Sequence, residues 1–197
     1  MRTLRDKQQF CDKNNIAQTL GISTANWPIF GVLWPSCFEL ATHMVNSDVS
    51  NKRILEVGCG IGLTSLLLNH MHADISATDN HPNVLEFLHF NALLNNDRII
   101  PFKRMDWKEL NNKLGKFDLI IGSDLLYEAS HAKMLSKFID HHANDRCEVV
   151  IVDPKRGQHA KFIKMMSLLG YSQKQHNLDD IAPYDNLFKH IVINLIK

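Results

Sequence analysis

Three short apolar runs, each closed by turn residues, constrain this chain more than any other feature. Arg53-Ile-Leu-Glu-Val-Gly58 runs on into further glycines, Phe117-Asp-Leu-Ile-Ile-Gly122 into Ser-Asp, and Cys147-Glu-Val-Val-Ile-Val152 into Asp-Pro. Runs of Val, Ile and Leu of this length read as parallel strands covered on both faces. Weaker strand candidates lie at 74–79 and 99–104. Helical periodicity separates the strands at 63–71, 82–95, 130–142 and 158–169, the last stopping at Gly170. The second of these has Asp79 or Asn80 as a cap candidate and Pro82 in its first turn. Strand and helix alternating in this way predict an α/β fold with a doubly wound, mostly parallel sheet. Right-handed crossovers then bring the C-terminal ends of the strands to one edge.

The two ends of the chain read differently. Segments 171–178 and 188–196 are both strand-like with no helix between them, which predicts a C-terminal antiparallel hairpin. A helix over 36–45 precedes the first strand. The 197 residues contain no repeat and no Pro/Gly/Ser-rich linker, so a single domain over 1–197 is expected, with 1–46 as its N-terminal extension. A formal net charge of +1 gives no global attraction to nucleic acid or to an anionic membrane. The opening residues have no apolar run behind their charges, and no stretch reaches membrane-span length. The four cysteines form no Cys-x-x-Cys pair and read as reduced thiols. A cytoplasmic protein is the expectation. The eleven histidines lack a metal-ligand spacing, so no metal is expected.

The chemistry concentrates where the strands end. Glu56-Val57-Gly58-Cys59-Gly60-Ile61-Gly62 lies between a strand and a helix, where glycines let the backbone approach a ligand and the helix offers free N–H groups. A dinucleotide fingerprint would require glycine at position 63, which is Leu63; here the glycines alternate at 58, 60 and 62. About twenty residues further on, Asp79, followed by Asn80, is placed to accept from ribose hydroxyls or to cap the following helix. Asp106 and Trp107 follow the third strand, as a carboxylate and an aromatic face for a base or as a helix start. Ser123, Asp124 and Tyr127 follow the fourth strand. They border the ligand crevice of an open sheet, or supply a helix cap and a core tyrosine. Asp153-Pro154-Lys155-Arg156-Gly157 reads as a solvated turn.

The alternating glycines after an acid resemble the nucleotide loop of class I S-adenosylmethionine-dependent methyltransferases. Asp124-x-x-Tyr127, with Leu33-Trp34-Pro35-Ser36 upstream, is similar to the seven-strand methyltransferase family 16 over residues 27–170. That family includes protein-lysine methyltransferases, modifiers of electron-transfer flavoprotein and bacterial proteins labelled predicted nicotinamide N-methylases. The resemblance implies a Rossmann-like fold and S-adenosyl-L-methionine as cofactor, with S-adenosyl-L-homocysteine as product. It implies cofactor contacts from Trp34, Glu56, Gly58, Cys59, Gly60, Gly62, Asp79, Asn80, Asp106, Trp107 and Ser123. Asp124 and Tyr127 would border the acceptor. Trp34 also fits a core tryptophan. The expected activity is N-methylation of a protein lysine, with a protein partner and no nucleic acid. A small-molecule amine acceptor and a catalytically silent cofactor-binding module stand as alternatives. The segment before Trp27 carries no recognisable substrate element, and Ser123-Asp-Leu-Leu-Tyr127 differs from the Asn/Asp-Pro-Pro-Tyr of nucleic-acid amino-methylases.

Overall fold

A computed structural model describes residues 1–5, 12, 15–23, 26–110, 113–155, 157–173 and 190–197. Its strands are β1 (Arg53–Val57), β2 (Asp74–Asp79), β3 (Phe102–Arg104), β4 (Phe117–Ser123), β5 (Ala143–Asp153), β6 (Ser172–Gln173) and β7 (Ile191–Ile196). Helices α1 (Ile16–Thr19), α2 (Pro35–Val45), α3 (Leu63–His70), α4 (Val84–Leu94), α5 (His131–His142) and α6 (His159–Leu168) accompany them, with a 3₁₀ turn at Trp27–Gly31. The strands form one sheet in the order β3-β2-β1-β4-β5-β7-β6. The first five are parallel; β7 runs antiparallel to both β5 and β6. From β1 the chain winds one way to β2 and β3, then returns to β4 and winds the other way. The point between β1 and β4 where the winding reverses is where such sheets open a crevice.

Period-two alternation explains the unbroken apolar runs. Leu55, Ile120, Val149 and Ile151 face one side, where they pack with Phe138 of α5 and Phe162 of α6. Their neighbours Ile54, Leu119, Ile121, Val150 and Val152 face the other, against Leu40 and Met44 of α2 and Leu68 of α3. Each such side chain contributes roughly 1.5–3 kcal/mol by leaving water. A third cluster gathers Val84, Phe87 and Leu88 of α4 with Phe30, Ile61 and Ile100.

Differences from the sequence reading fall at element ends. Helix α5 passes into β5 at Ala143 with no loop, so the strand begins four residues before Cys147; Ala143 pairs with Phe117 across a register irregularity. Helix α4 starts at Val84 with Asn83 at its N-cap, so neither Asp79 nor Asn80 caps it. The third strand is confined to Phe102–Arg104. Of the expected hairpin, β6 and β7 pair antiparallel, and 174–189 lie outside the described residues.

Candidate functional site

A cavity of about 470 Å³ opens at the β1/β4 switch point. Its floor is the glycine loop after β1. Gly58, Gly60 and Gly62 all adopt positive φ, of 59°, 53° and 73°. At Gly60 the need is also spatial, since a Cβ there would sit 3.0 Å from the carbonyl oxygen of Phe30. The loop is tied to β2: the Cys59 N–H donates to the Thr78 carbonyl (3.0 Å), and the Gly60 N–H donates to Asp79 Oδ2 (2.9 Å).

Glu56 holds this loop from below. It is buried, and its Oε2 accepts from the Ser65 N–H (2.8 Å) and the Ser65 hydroxyl in the first turn of α3. Burial pushes its carboxyl up to about 7, against the pull of the two Ser65 bonds and with a further push from Asp79. Glu56 and Gly62 are absent from the cavity wall. Gly58, Cys59 and Gly60 line it.

Asp79 and Asn80 line the cavity at the end of β2. The second oxygen of Asp79 accepts from the His81 N–H (2.8 Å). Burial raises the Asp79 carboxyl, and the amides of His81, Gly60 and Asn80 oppose that rise. His81 itself, one of the eleven histidines for which the sequence offered no ligand spacing, is buried against Phe30, their ring centroids 3.9 Å apart and 17° from coplanar. Its Nδ1 faces the Asn83 N–H at 3.2 Å and accepts from it, leaving the proton on Nε2. That Nε2 has no hydrogen-bond partner, and the residue lines the cavity. Burial pulls the imidazole down to about 4, so it is neutral at physiological pH.

Also lining the cavity, after β3, Asp106 accepts from the Lys108 N–H (2.9 Å) in a turn rather than a helix start. Trp107 beside it packs on the main core and meets His131 edge to face, at 5.2 Å between centroids. Ser123 and Asp124 follow β4. Asp124 holds φ 58°, and its N–H donates to the Val152 carbonyl (2.9 Å). An acid in the left-handed region at a strand end is local strain of the kind that gathers at functional sites. It is not a helix cap: α5 starts at His131 after Ser130. Nor is Tyr127 a core residue, being 43% exposed with its ring edge to face on His131, 4.5 Å away.

The remaining wall comes from the N-terminal part. Trp34 lines the cavity and donates its indole N–H to the Ile29 carbonyl (3.1 Å). Leu20, Gly21, Ile22 and Asn26 line it too, although the sequence before Trp27 gave no sign of this. Residues 153–155 and 157 take no part in the wall; the Lys155 N–H closes a turn on Asp153 Oδ1 (2.8 Å), and Arg156 lies outside the described residues. Three thiols sit in distinct places: Cys37 on α2 and Cys59 on the loop, both at the cavity, and Cys147 in β5. Burial pushes Cys37 and Cys147 up to about 12, and Cys59 well above its ordinary value. Among the described residues no group of three or more His, Cys, Asp or Glu is placed to hold a metal, and no helix is long and apolar enough to cross a membrane.

Several known proteins are similar to this chain. Protein N-lysine methyltransferase METTL21A of Danio rerio is 30% identical over 129 residues, 62% of this chain and 56% of that protein. The histidine protein methyltransferase 1 homolog of Dictyostelium discoideum is 31% identical over 124 residues, 58% of this chain and 40% of that one. The chain thus spans about half the length of these relatives. Magnesium protoporphyrin IX methyltransferase of Synechocystis PCC 6803, solved with bound SAM, shares the fold at a TM-score of 0.62 and 19% identity, over 82% of this chain and 77% of that one. The model of the lysine methyltransferase family matches residues 16–168, from α1 to the end of α6, and the chain belongs to that family.

Proposed function

We propose that this cavity binds S-adenosylmethionine and that the protein transfers its methyl group to the side-chain amine of a lysine in a partner protein. The observation that carries the reading is that one cavity gathers two kinds of group. The first set is Gly58, Cys59 and Gly60 of the loop with Asp79 and the Asp106-Trp107 pair; the second is Asp124, Tyr127 and Glu128. The first set suits a nucleoside. Asp79 retains lone pairs for ribose hydroxyls, the Asp106 carboxylate accepts from an exocyclic amine, and Trp107 offers a face to the base. The unpartnered Nε2–H of His81, beside Asp79, is a further buried donor at the cavity. The volume falls within the range of small-molecule sites.

When bound, the cofactor supplies a methyl on a sulfonium centre, an electrophile that needs no activation by the protein. The chain's own work is orientation and proton management. A lysine amine is mostly protonated near neutral pH, its ordinary pKa being about 10.4. Carboxylates at the acceptor side attract the ammonium form and orient it. Asp124, held rigidly by its backbone bond to Val152, is the residue placed to do this. The Asp124→Asn protein should therefore lose about 100-fold in turnover while its affinity for S-adenosylhomocysteine changes little. Equal losses in both would remove the assigned role.

The test of the reading is transfer from radiolabelled S-adenosylmethionine into a cell lysate, with products separated by size and the modified residue mapped. One labelled protein band carrying methyl-lysine supports it. Methyl-histidine moves the acceptor to an imidazole, and label confined to small molecules moves it to a metabolite amine. Cofactor binding with no label leaves a silent binding module.

A further inference from the structure

His131 opens α5 at the acceptor side of the cavity and is 8% exposed. Its Nδ1 lies 2.7 Å from the carbonyl oxygen of Leu125. A carbonyl only accepts, so Nδ1 carries a hydrogen, and in the neutral ring the lone pair belongs to Nε2. That nitrogen is 3.4 Å from Glu128 Oε2, and Glu128 also lines the cavity. Trp107 and Tyr127 both stand edge to face on the ring and fix its plane. The tautomer is thus set by one backbone bond, the ring by two aromatic neighbours, and the free lone pair faces a carboxylate at the cavity wall. This is the arrangement of a base with an orienting group behind it and a counter-charge beside it.

We infer that His131 and Glu128 form a proton-accepting pair for the acceptor amine, an inference that rests on the amine-methylation reading above. An N–H bond of the lysine ammonium breaks, and its electron pair stays on nitrogen as the attacking lone pair. The proton bonds to Nε2. The resulting imidazolium donates to Leu125 through Nδ1 and to Glu128 through Nε2, and it returns the proton to water after transfer. Besides Glu128, the charged groups that line the same cavity among the described residues are Asp79, Asp106, Lys108 and Asp124; Lys161 of α6 donates its Nζ to the Ala129 carbonyl (3.0 Å) just before α5.

Three proteins test the pair. His131→Asn keeps an N–H for Leu125 and loses the titrating nitrogen. Glu128→Gln keeps His131 and removes the counter-charge. Both are compared with the unaltered chain in initial rates of label incorporation from S-adenosylmethionine into lysate protein, across pH, with S-adenosylhomocysteine affinity measured alongside. The expected H131N result is a loss of about 100-fold or more near neutral pH, with affinity retained. The deficit should narrow as the pH approaches the ordinary lysine value of about 10.4, where water removes the proton unaided. E128Q should lower the rate by less than H131N does, because it removes the counter-charge and leaves the proton-accepting nitrogen in place. A deficit constant across pH, or none, overturns the pair alone; an unaltered chain that labels nothing overturns the transferase reading and the pair with it. A readout independent of activity is the ¹⁵N spectrum of the histidines, with His131 assigned by its absence in H131N. The neutral ring should carry its proton on Nδ1, and the opposite tautomer overturns the pair whatever the acceptor.

Discussion

At the scale of single residues, the glycine loop makes its demands at Gly60. A side chain there must adopt φ 53° and displace the Phe30 carbonyl. Gly60→Ala should cost about 1–2 kcal/mol from the left-handed backbone alone. Gly60→Val should abolish S-adenosylhomocysteine binding in a calorimetric titration, and tight binding by the valine protein would refute the loop assignment. Glu56 yields a second prediction, with a sign. Its folded value of about 7 lies above the ordinary 4.5, so the folded chain holds that proton more tightly than the unfolded chain. The associated stability is complete below 4.5 and is lost as pH rises through 7. Glu56→Gln keeps an acceptor for Ser65 and cannot ionise. Its stability relative to the unaltered chain should rise between about pH 5 and 8, by on the order of 3 kcal/mol. Urea unfolding at the two pH values checks this, and a gap that ignores pH would refute it. The sequence announced an acid before the loop but not its task, because the partner, Ser65, is settled only when α3 folds back over β1.

Among the elements, β1 and β4, two of the three announced by apolar runs, were legible from end to end. β1 and β4 match their runs because both faces are covered and turn residues stop them abruptly. The start of β5 was not legible: Asn144 to Arg146 is polar, and only the docking of α5 against the sheet extends the strand there. The N-terminal segment was the least legible, since nothing in its composition says that it will close a cavity formed by strand ends far along the chain. Its hold on the site runs through Phe30, which is buried among α4 residues and stacks on His81. Phe30→Ala should destabilise the fold by about 3 kcal/mol in denaturant unfolding. It should also weaken S-adenosylhomocysteine binding and move the His81 titration upward from about 4, toward its ordinary 6.5, with Trp27 still packed on the ring. An unchanged His81 titration would show that Phe30 does not create that environment. His131 likewise escaped sequence reasoning: a histidine four residues after Tyr127 has no periodic signature, and its role follows from a carbonyl and two rings brought together by folding.

For the whole molecule, the winding reversal between β1 and β4 brings the four strand ends, scattered over some seventy residues, to a single opening. The position of the crevice followed from the alternation of elements, because handedness leaves the strand ends no other edge. Its depth and lining did not, since they depend on Leu20 to Ile22 and on the stretch from Asn26 to Trp34. The near-neutral charge of the chain leaves ligand capture to short-range contacts within the cavity.

Cys59 and Cys147, both buried, give the folded protein a chemical clock. A thiol reacts with an alkylating reagent as thiolate, and burial holds both in the protonated form. Alkylation must therefore wait for the chain around each one to open. Mass spectrometry of a timed iodoacetamide pulse would read how often the cavity loosens at Cys59, separately from how often the sheet parts at Cys147, while half-buried Cys37 reports access to the cavity without opening. Saturating S-adenosylhomocysteine should slow Cys59 more than Cys147. Equal slowing at both would mean that the cavity and the sheet open only together.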